Sequence, residues 1–288
     1  MSSSWQLDFY RRPLKNADSQ SLWELLVCTP NMDFSYAETC PQPEADAMWL
    51  RHQLKQAIHR AGYRPKSLQV FRPQTQTLAE VACRELDIPV EAKRGLPTLK
   101  QWLRQRAAWY SNLKTYTGEA YSPFAIERST PIPLPDNLWG ETWRFAGLSN
   151  ADLLRFQYEA IPVRSVPKEL LPLEIGLSST VLIPGVVIDG GQRAMALTQW
   201  LDSVQPAFLK YIAGQPDGLI LEAGLCDRFV LTTFEDSDVR GAANAFEQRK
   251  ATAKGLHFLL IRPDDSGMTY SGLWLLQESP DTQIGNTG

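Results

Sequence analysis

At 288 residues, with 43% hydrophobic and 21% charged residues, the chain is long enough for one large domain or two ordinary ones. Its composition excludes a disordered protein. A net charge of -3 gives no global pull on nucleic acid or acidic membranes, so any anion site must be a local patch.

No apolar run approaches the ~20 residues of a membrane span. The opening MSSSWQLDFYRRP has neither a signal-peptide core nor the Arg/Ser-rich character of a transit peptide, so a cytoplasmic protein is expected. Cys28, Cys40, Cys83 and Cys226 form no CxxC pair and no metal spacing, and they read as buried thiols. No metal and no cofactor is expected.

Trp5, Leu7 and Phe9 alternate with Gln6, Asp8 and Tyr10, the period of a half-buried strand. Residues 22–28 and 34–40 give two more strands, joined as an antiparallel meander. A helix opens at Pro43 and ends near Gly62, with Ala47, Leu50, Leu54, Ala57, Ile58 and Ala61 on one stripe. A strand over 68–71 follows. Thr77 and Glu80 form a capping-box pattern for a second helix, 88–92 suggests a short strand, and Pro97 starts a third helix through Tyr110.

The order βββαβαβα is that of ribonuclease-H-like folds. The fold class is therefore α/β (α+β), with a mixed N-terminal sheet over 1–115. Residues 116–142 alternate prolines and aromatics and read as a linker.

A second α/β domain is expected over 143–288. It begins with a short capped helix at 149–156 and strand-rich stretches at 161–166 and 173–188. A long helix over 192–213 would hold Trp200, Val204, Phe208 and Tyr211. A hairpin around Gly224, a helix over 238–254 with Gly255 as its stop, and strands at 256–261 and 272–277 complete it. Residues 61–73 and 253–263 both run basic helix end, glycine, strand, Arg-Pro. Ordinary alternation of helix and strand with a coincident Arg-Pro is the favoured account over an ancient duplication.

Ribonuclease-H-like nucleases hold two metal ions on carboxylates that clamp the attacking and leaving oxygens. Asp8 lies where the first carboxylate would stand, but the fourth strand ends in Arg72 and the third helix carries no acid. Metal-dependent cleavage is therefore not expected. His52, His59 and His257 suit no nucleophilic constellation, and Ile188-Asp189-Gly190-Gly191 lacks phosphate-loop spacing.

The positive signal is electrostatic. Between Arg51 and Lys114 stand 13 basic residues against 4 acids, interleaved with Tyr63, Phe71, Trp102, Trp109 and Tyr110. Cations neutralise phosphates while rings stack on unpaired bases, the combination that binds single-stranded RNA. The expected RNA-binding set is Arg11, Arg12, Arg60, Arg64, Lys66, Arg72, Lys93, Arg94, Lys100, Arg104, Arg106 and Trp109, converging on one solvent-facing platform. Solvated helix faces and core rings are the plainer account of the same residues.

Trp5-Gln6-Leu7-Asp8-Phe9-Tyr10-Arg11-Arg12-Pro13, followed by Leu22-Trp23-Glu24-Leu25-Leu26-Val27-Cys28, resembles the N-terminal signature of the Tab/Atab family of RNA-binding translation factors. Residues 255–261 and 271–276, with His257 and Trp274, resemble that family's C-terminal motif. The resemblance implies a non-catalytic RNA-binding protein acting in translation of photosystem messages, especially those for photosystem I reaction-centre subunits. The ribosome or photosystem assembly factors are candidate further partners, and the opening residues point to a cyanobacterial member. Trp5, Asp8, Glu24, His257 and Trp274 are its motif residues here. Two other readings stand beside it: an RNA-independent photosystem assembly scaffold, and a divergent nuclease using Asp8.

Overall fold

The computed structural model describes residues 4–126 and 129–279. The chain divides into two compact units, Met1–Ile126 and Glu127–Gly288.

Unit 1 runs β1 (Trp5–Lys15), β2 (Ser21–Cys28), β3 (Ser35–Pro41), α1 (Ala47–Ala61), β4 (Leu68–Val70), α2 (Pro73–Arg84), β5 (Val90–Ala92) and α3 (Pro97–Tyr110). Its sheet has the order β3-β2-β1-β4-β5, with β2 antiparallel to both neighbours and β4 and β5 parallel to β1. This is the ribonuclease-H-like arrangement expected from the element order.

The period of two in β1 sorts its side chains onto two layers. Trp5, Leu7 and Phe9 pack with Leu25 and Val27 against Leu50, Leu54 and Ala57 of α1 and Ala79, Ala82 and Cys83 of α2. On the opposite face, Leu26 and Cys28 pack against Leu99 and Leu103 of α3, whose Leu99 N–H donates to Gln6 Oε1. Cys28, Cys40 and Cys83 are buried free thiols, and burial pushes each up to about 12. Cys226 is free and half-buried.

Two helix starts differ from the sequence expectation. Pro43 sits in a 3-10 turn, and α1 opens where the Asp46 carboxylate accepts the Trp49 N–H at 2.7 Å. The Thr77–Glu80 capping box does not form. α2 has already begun at Pro73, whose fixed φ suits a first helical turn, and Thr77 Oγ1 instead donates back to the Pro73 carbonyl at 3.1 Å.

Unit 2 runs β6 (Ile132–Pro133), β7 (Thr142–Leu148), α4 (Asn150–Arg155), β8 (Val163–Ser165), β9 (Ile183–Asp189), α5 (Ala194–Val204), β10 (Pro206–Ile212), β11 (Asp217–Ala223), β12 (Asp227–Phe234), α6 (Ser237–Thr252), β13 (Leu256–Arg262) and β14 (Gly272–Gln277). Its sheets have the orders β10-β11-β12-β6 and β7-β9-β13-β14-β8. In the second sheet Leu259, Ile261, Trp274 and Leu276 face one core while Phe258, Leu260, Leu273 and Leu275 face another. Burial on both faces explains why β13 and β14 read as nearly unbroken apolar runs.

The helix expected over 192–213 is half helix and half strand. Gln205, at φ 56°, ends α5 in the left-handed region, and Pro206 has no N–H to continue it. Phe208 and Tyr211 therefore lie in β10, paired with β11. Of the stretch 173–188, only its end forms the strand β9.

Candidate nucleic-acid interface and the charge cluster beneath it

β1 places Asp8, Tyr10 and Arg12 on the sheet face covered by α3, and β2 places Glu24 beside them, opposite Tyr10. The side chains of Asp8, Arg12 and Glu24 are 0% exposed and that of Arg72 is 1% exposed. Four buried formal charges in an apolar sheet demand mutual pairing, because an isolated one would be driven neutral or would destabilise the fold.

The pairing is extensive. Arg12 Nη2 donates to Asp8 Oδ2 at 2.9 Å, its Nε to Glu24 Oε2 at 3.1 Å, and its Nη1 to the Tyr121 hydroxyl at 3.1 Å. Arg72 Nε donates to Asp8 Oδ1 at 2.8 Å, while its Nη1 donates to the Ala125 carbonyl at 2.5 Å and its Nη2 to the Pro123 carbonyl. Every nitrogen of both guanidiniums has an acceptor. Arg106 of α3 pairs with Glu24 Oε1, and the Tyr110 hydroxyl donates to Glu24 Oε2.

Burial alone would lower the Arg12 pKa, but the charges of Asp8 and Glu24 and the hydroxyls of Tyr121 and Tyr110 raise it well above its ordinary value. Arg12 therefore keeps its positive charge in the interior. Burial likewise raises the Tyr110 and Tyr121 phenols, so both remain protonated donors or acceptors near neutrality.

These contacts place the members of the expected RNA-binding set in different surroundings. Arg12 and Arg72 are interior ion-pair partners rather than surface groups, and Arg106 spends its charge on Glu24. Arg64 pairs with Asp87 at 3.4 Å and Lys93 with Glu91 at 3.5 Å. The remaining cations do not share a platform. Arg60 ends α1 and Lys66 follows it, on the α1/α2 side, whereas Lys100, Arg104 and Trp109 ride on α3 across the sheet. Arg11 is exposed on β1 and Arg94 is half-buried between β5 and α3.

What the structure does gather is a cation and ring array along α3. Arg104 lies over the Phe124 ring at 4.9 Å and Lys100 over the same ring at 5.8 Å. Arg106 lies over Trp109 at 4.4 Å, and Trp109 is 45% exposed. α3 carries three cations and no acid.

Sequence reading missed Tyr121, the strap 121–126 that supplies Arg72 with acceptors, and the part of Tyr110 as a donor to Glu24. Their signal was indirect. Asp8 and Arg12 are four apart on one strand face, and Glu24 sits inside an apolar run, so each needed a buried partner.

The motif residues Trp5, His257 and Trp274 are core. His257 Nε2 accepts the Leu209 N–H at 2.8 Å and its Nδ1–H donates to the Gly255 carbonyl at 2.8 Å. Burial, then the nearby Lys250 ammonium, lowers its pKa from 6.5 to about 3. Among the described residues no group of three or more His, Cys, Asp or Glu could hold a metal ion. None of the described helices is long and apolar enough to cross a membrane.

The N-terminal unit is thus a mixed α/β domain whose sheet carboxylates, Asp8 and Glu24, are bound by arginines beneath a basic helix that carries no acid. The chain belongs to the RNA-binding protein Tab2/Atab2 family. The family's N-terminal model matches residues 4–106 and its C-terminal domain model matches residues 121–277. It is 29% identical to "Protein TAB2 homolog, chloroplastic" of Zea mays over 97% of this chain and 73% of the relative. The Arabidopsis thaliana protein of the same description is 28% identical over 97% of this chain and 76% of that relative. Among solved structures, the catalytic core domain of BIV integrase aligns over 43% of this chain and 76% of its own, at a TM-score of 0.28 and 20% identity.

Proposed function

We propose that this chain binds single-stranded RNA along the outer face of α3 and acts without catalysis in translation of photosystem messages in the cytoplasm, photosystem I reaction-centre messages in particular. The observation that carries the reading is the acid-free helix α3, with Lys100 and Arg104 on one side of its outer face and exposed Trp109 on the other, in a chain of an RNA-binding family. Lys100 and Arg104 are one helical turn apart, a spacing suited to successive phosphates, and Trp109 offers a stacking face. Arg94 and Arg11 are the next contributors to test. The photosystem messages rest on kinship alone.

Filter binding of the full chain to a photosystem leader RNA over rising salt tests the reading. The doubly reversed Lys100→Glu, Arg104→Glu protein is expected to bind about tenfold more weakly, with a salt slope shallower by ~1.4, or ~0.7 per lost phosphate contact. Equal affinity and slope in both proteins would move the site off α3. Recovery of photosystem or ribosomal partners that survives ribonuclease treatment, with no RNA affinity, would establish the scaffold reading instead.

The divergent nuclease reading has little support, because both Asp8 oxygens already face guanidinium cations. A divalent cation at the same carboxylate would meet like charge.

A further inference from the structure

We propose that the groove between α3 and the carboxyl end of β4, filled here by the chain's own residues 121–126, is a phosphodiester-binding site that single-stranded RNA enters by displacing that segment. This inference rests on the RNA reading above and deepens it, by naming the site's internal occupant.

The argument starts from Arg72. Its guanidinium lies 4.3 Å from the Tyr10 ring centroid and 4.7 Å from that of Phe71, and Nε is fixed on Asp8. The remaining fork, Nη1 and Nη2, is thereby aimed in one direction. It meets two main-chain carbonyls, Nη1 that of Ala125 and Nη2 that of Pro123, and a fork of two parallel N–H donors is also what grips two oxygens of a phosphate.

The rest of the segment copies the other half of a nucleotide. The Phe124 ring lies under both Lys100 and Arg104, where a base could stack, and Tyr121 offers its hydroxyl to Arg12. Neutral carbonyls are the weaker acceptors. A phosphate in their place adds the attraction of opposite charges to bonds that the guanidinium already strengthens.

The segment is built to leave. It forms no helix or strand, its Ala125 N–H is satisfied locally by the Ser122 carbonyl, and Ser122 and Ala125 are exposed. Its hold on the unit is chiefly Phe124 and Ile126 packed on the α3 core, with the contacts already named. An occupied site lowers apparent affinity by the fraction of molecules in which it is open, so loosening the occupant should tighten RNA binding.

The test uses the full chain and a mixed-sequence single-stranded RNA of twenty nucleotides. Phe124→Ala is expected to raise affinity about fivefold. In the unaltered chain, amide hydrogen exchange over 121–126 is expected to speed up on RNA binding while α3 slows. Unchanged or weaker affinity in Phe124→Ala, or unchanged or slowed exchange over 121–126 with RNA bound, overturns the displacement and leaves the α3 reading standing. Absence of RNA binding in both proteins rejects the α3 reading and this inference together.

Discussion

The Asp8–Arg72 pair of unit 1 and the Asp189–Arg262 pair of unit 2 are built from the same local grammar at different depths. In each, a helix ends at a left-handed glycine, Gly62 at φ 75° or Gly255 at φ 80°. A strand follows, β4 or β13, parallel to a neighbour that carries an aspartate, on β1 or β9. An Arg-Pro step closes the strand, and the arginine Nε meets Asp Oδ1 at 2.8 Å in one case and 2.5 Å in the other.

The surroundings then diverge. Asp8 has a second partner, Arg12, that is 0% exposed, whereas the second partner of Asp189, Arg144, is 48% exposed. The pair itself is buried in both places, but its second partner is sealed in unit 1 and reaches solvent in unit 2. Its energetic weight follows from what surrounds it.

Removing a carboxylate from each centre breaks the comparison most directly. Glu24→Ala removes the buried carboxylate shared by Arg12, Arg106 and Tyr110 and is expected to lower unfolding free energy by about 3–5 kcal/mol in urea titrations. A loss under 1 kcal/mol would show that the cluster is hydrated. Asp189→Ala should lose less, about 2–3 kcal/mol, since Arg144 can turn to water and only the buried Arg262 is left without its carboxylate. An equal loss at both sites would remove the distinction of depth.

Unit 2 also buries a group that titrates, where the unit 1 cluster holds arginines that do not. The folded His257 pKa is depressed to about 3, so the unfolded chain binds the extra proton as pH falls below 6.5. Stability is full above 6.5 and declines towards pH 3, by up to ~1.4 kcal/mol per pH unit from this group. His257→Gln, which can still accept the Leu209 N–H, should be flatter between pH 6.5 and 5, and an unchanged slope would assign the acid sensitivity elsewhere.

The smallest effect compares the glycines. Gly62→Ala should lower stability by about 1 kcal/mol, the strain of a left-handed alanine, because nothing lies within 4 Å of its added methyl. Gly255→Ala should lose more, since its methyl would strike the Glu278 carbonyl. Equal melting temperatures would show that the carbonyl yields.

The strongly patterned parts of the fold were legible. The alternation at residues 5–10, the stripe of α1 and the runs of β13 and β14 all announce themselves because burial imposes their period. The stretch 205–212 was not, since Phe208 and Tyr211 continue a helical spacing from Trp200 and Val204 while Pro206 forces a strand. The interface was half legible. Sequence shows how many cations stand between Arg51 and Lys114, but not which layer each joins or which carboxylate reaches it. Asp8 and Glu24 come from outside that window, so their neutralisation of Arg72 and Arg106 could not be counted from local charge.

β1 serves two masters: its odd positions feed the aromatic core under α1 and α2, and its even positions feed the ion cluster under α3. A single inserted residue near its start would exchange the two sets, sending Asp8 among Trp23 and Trp49 and Phe9 among the arginines. Frame-preserving insertions are therefore least tolerated in this strand, and a two-residue insertion there should do less harm than one.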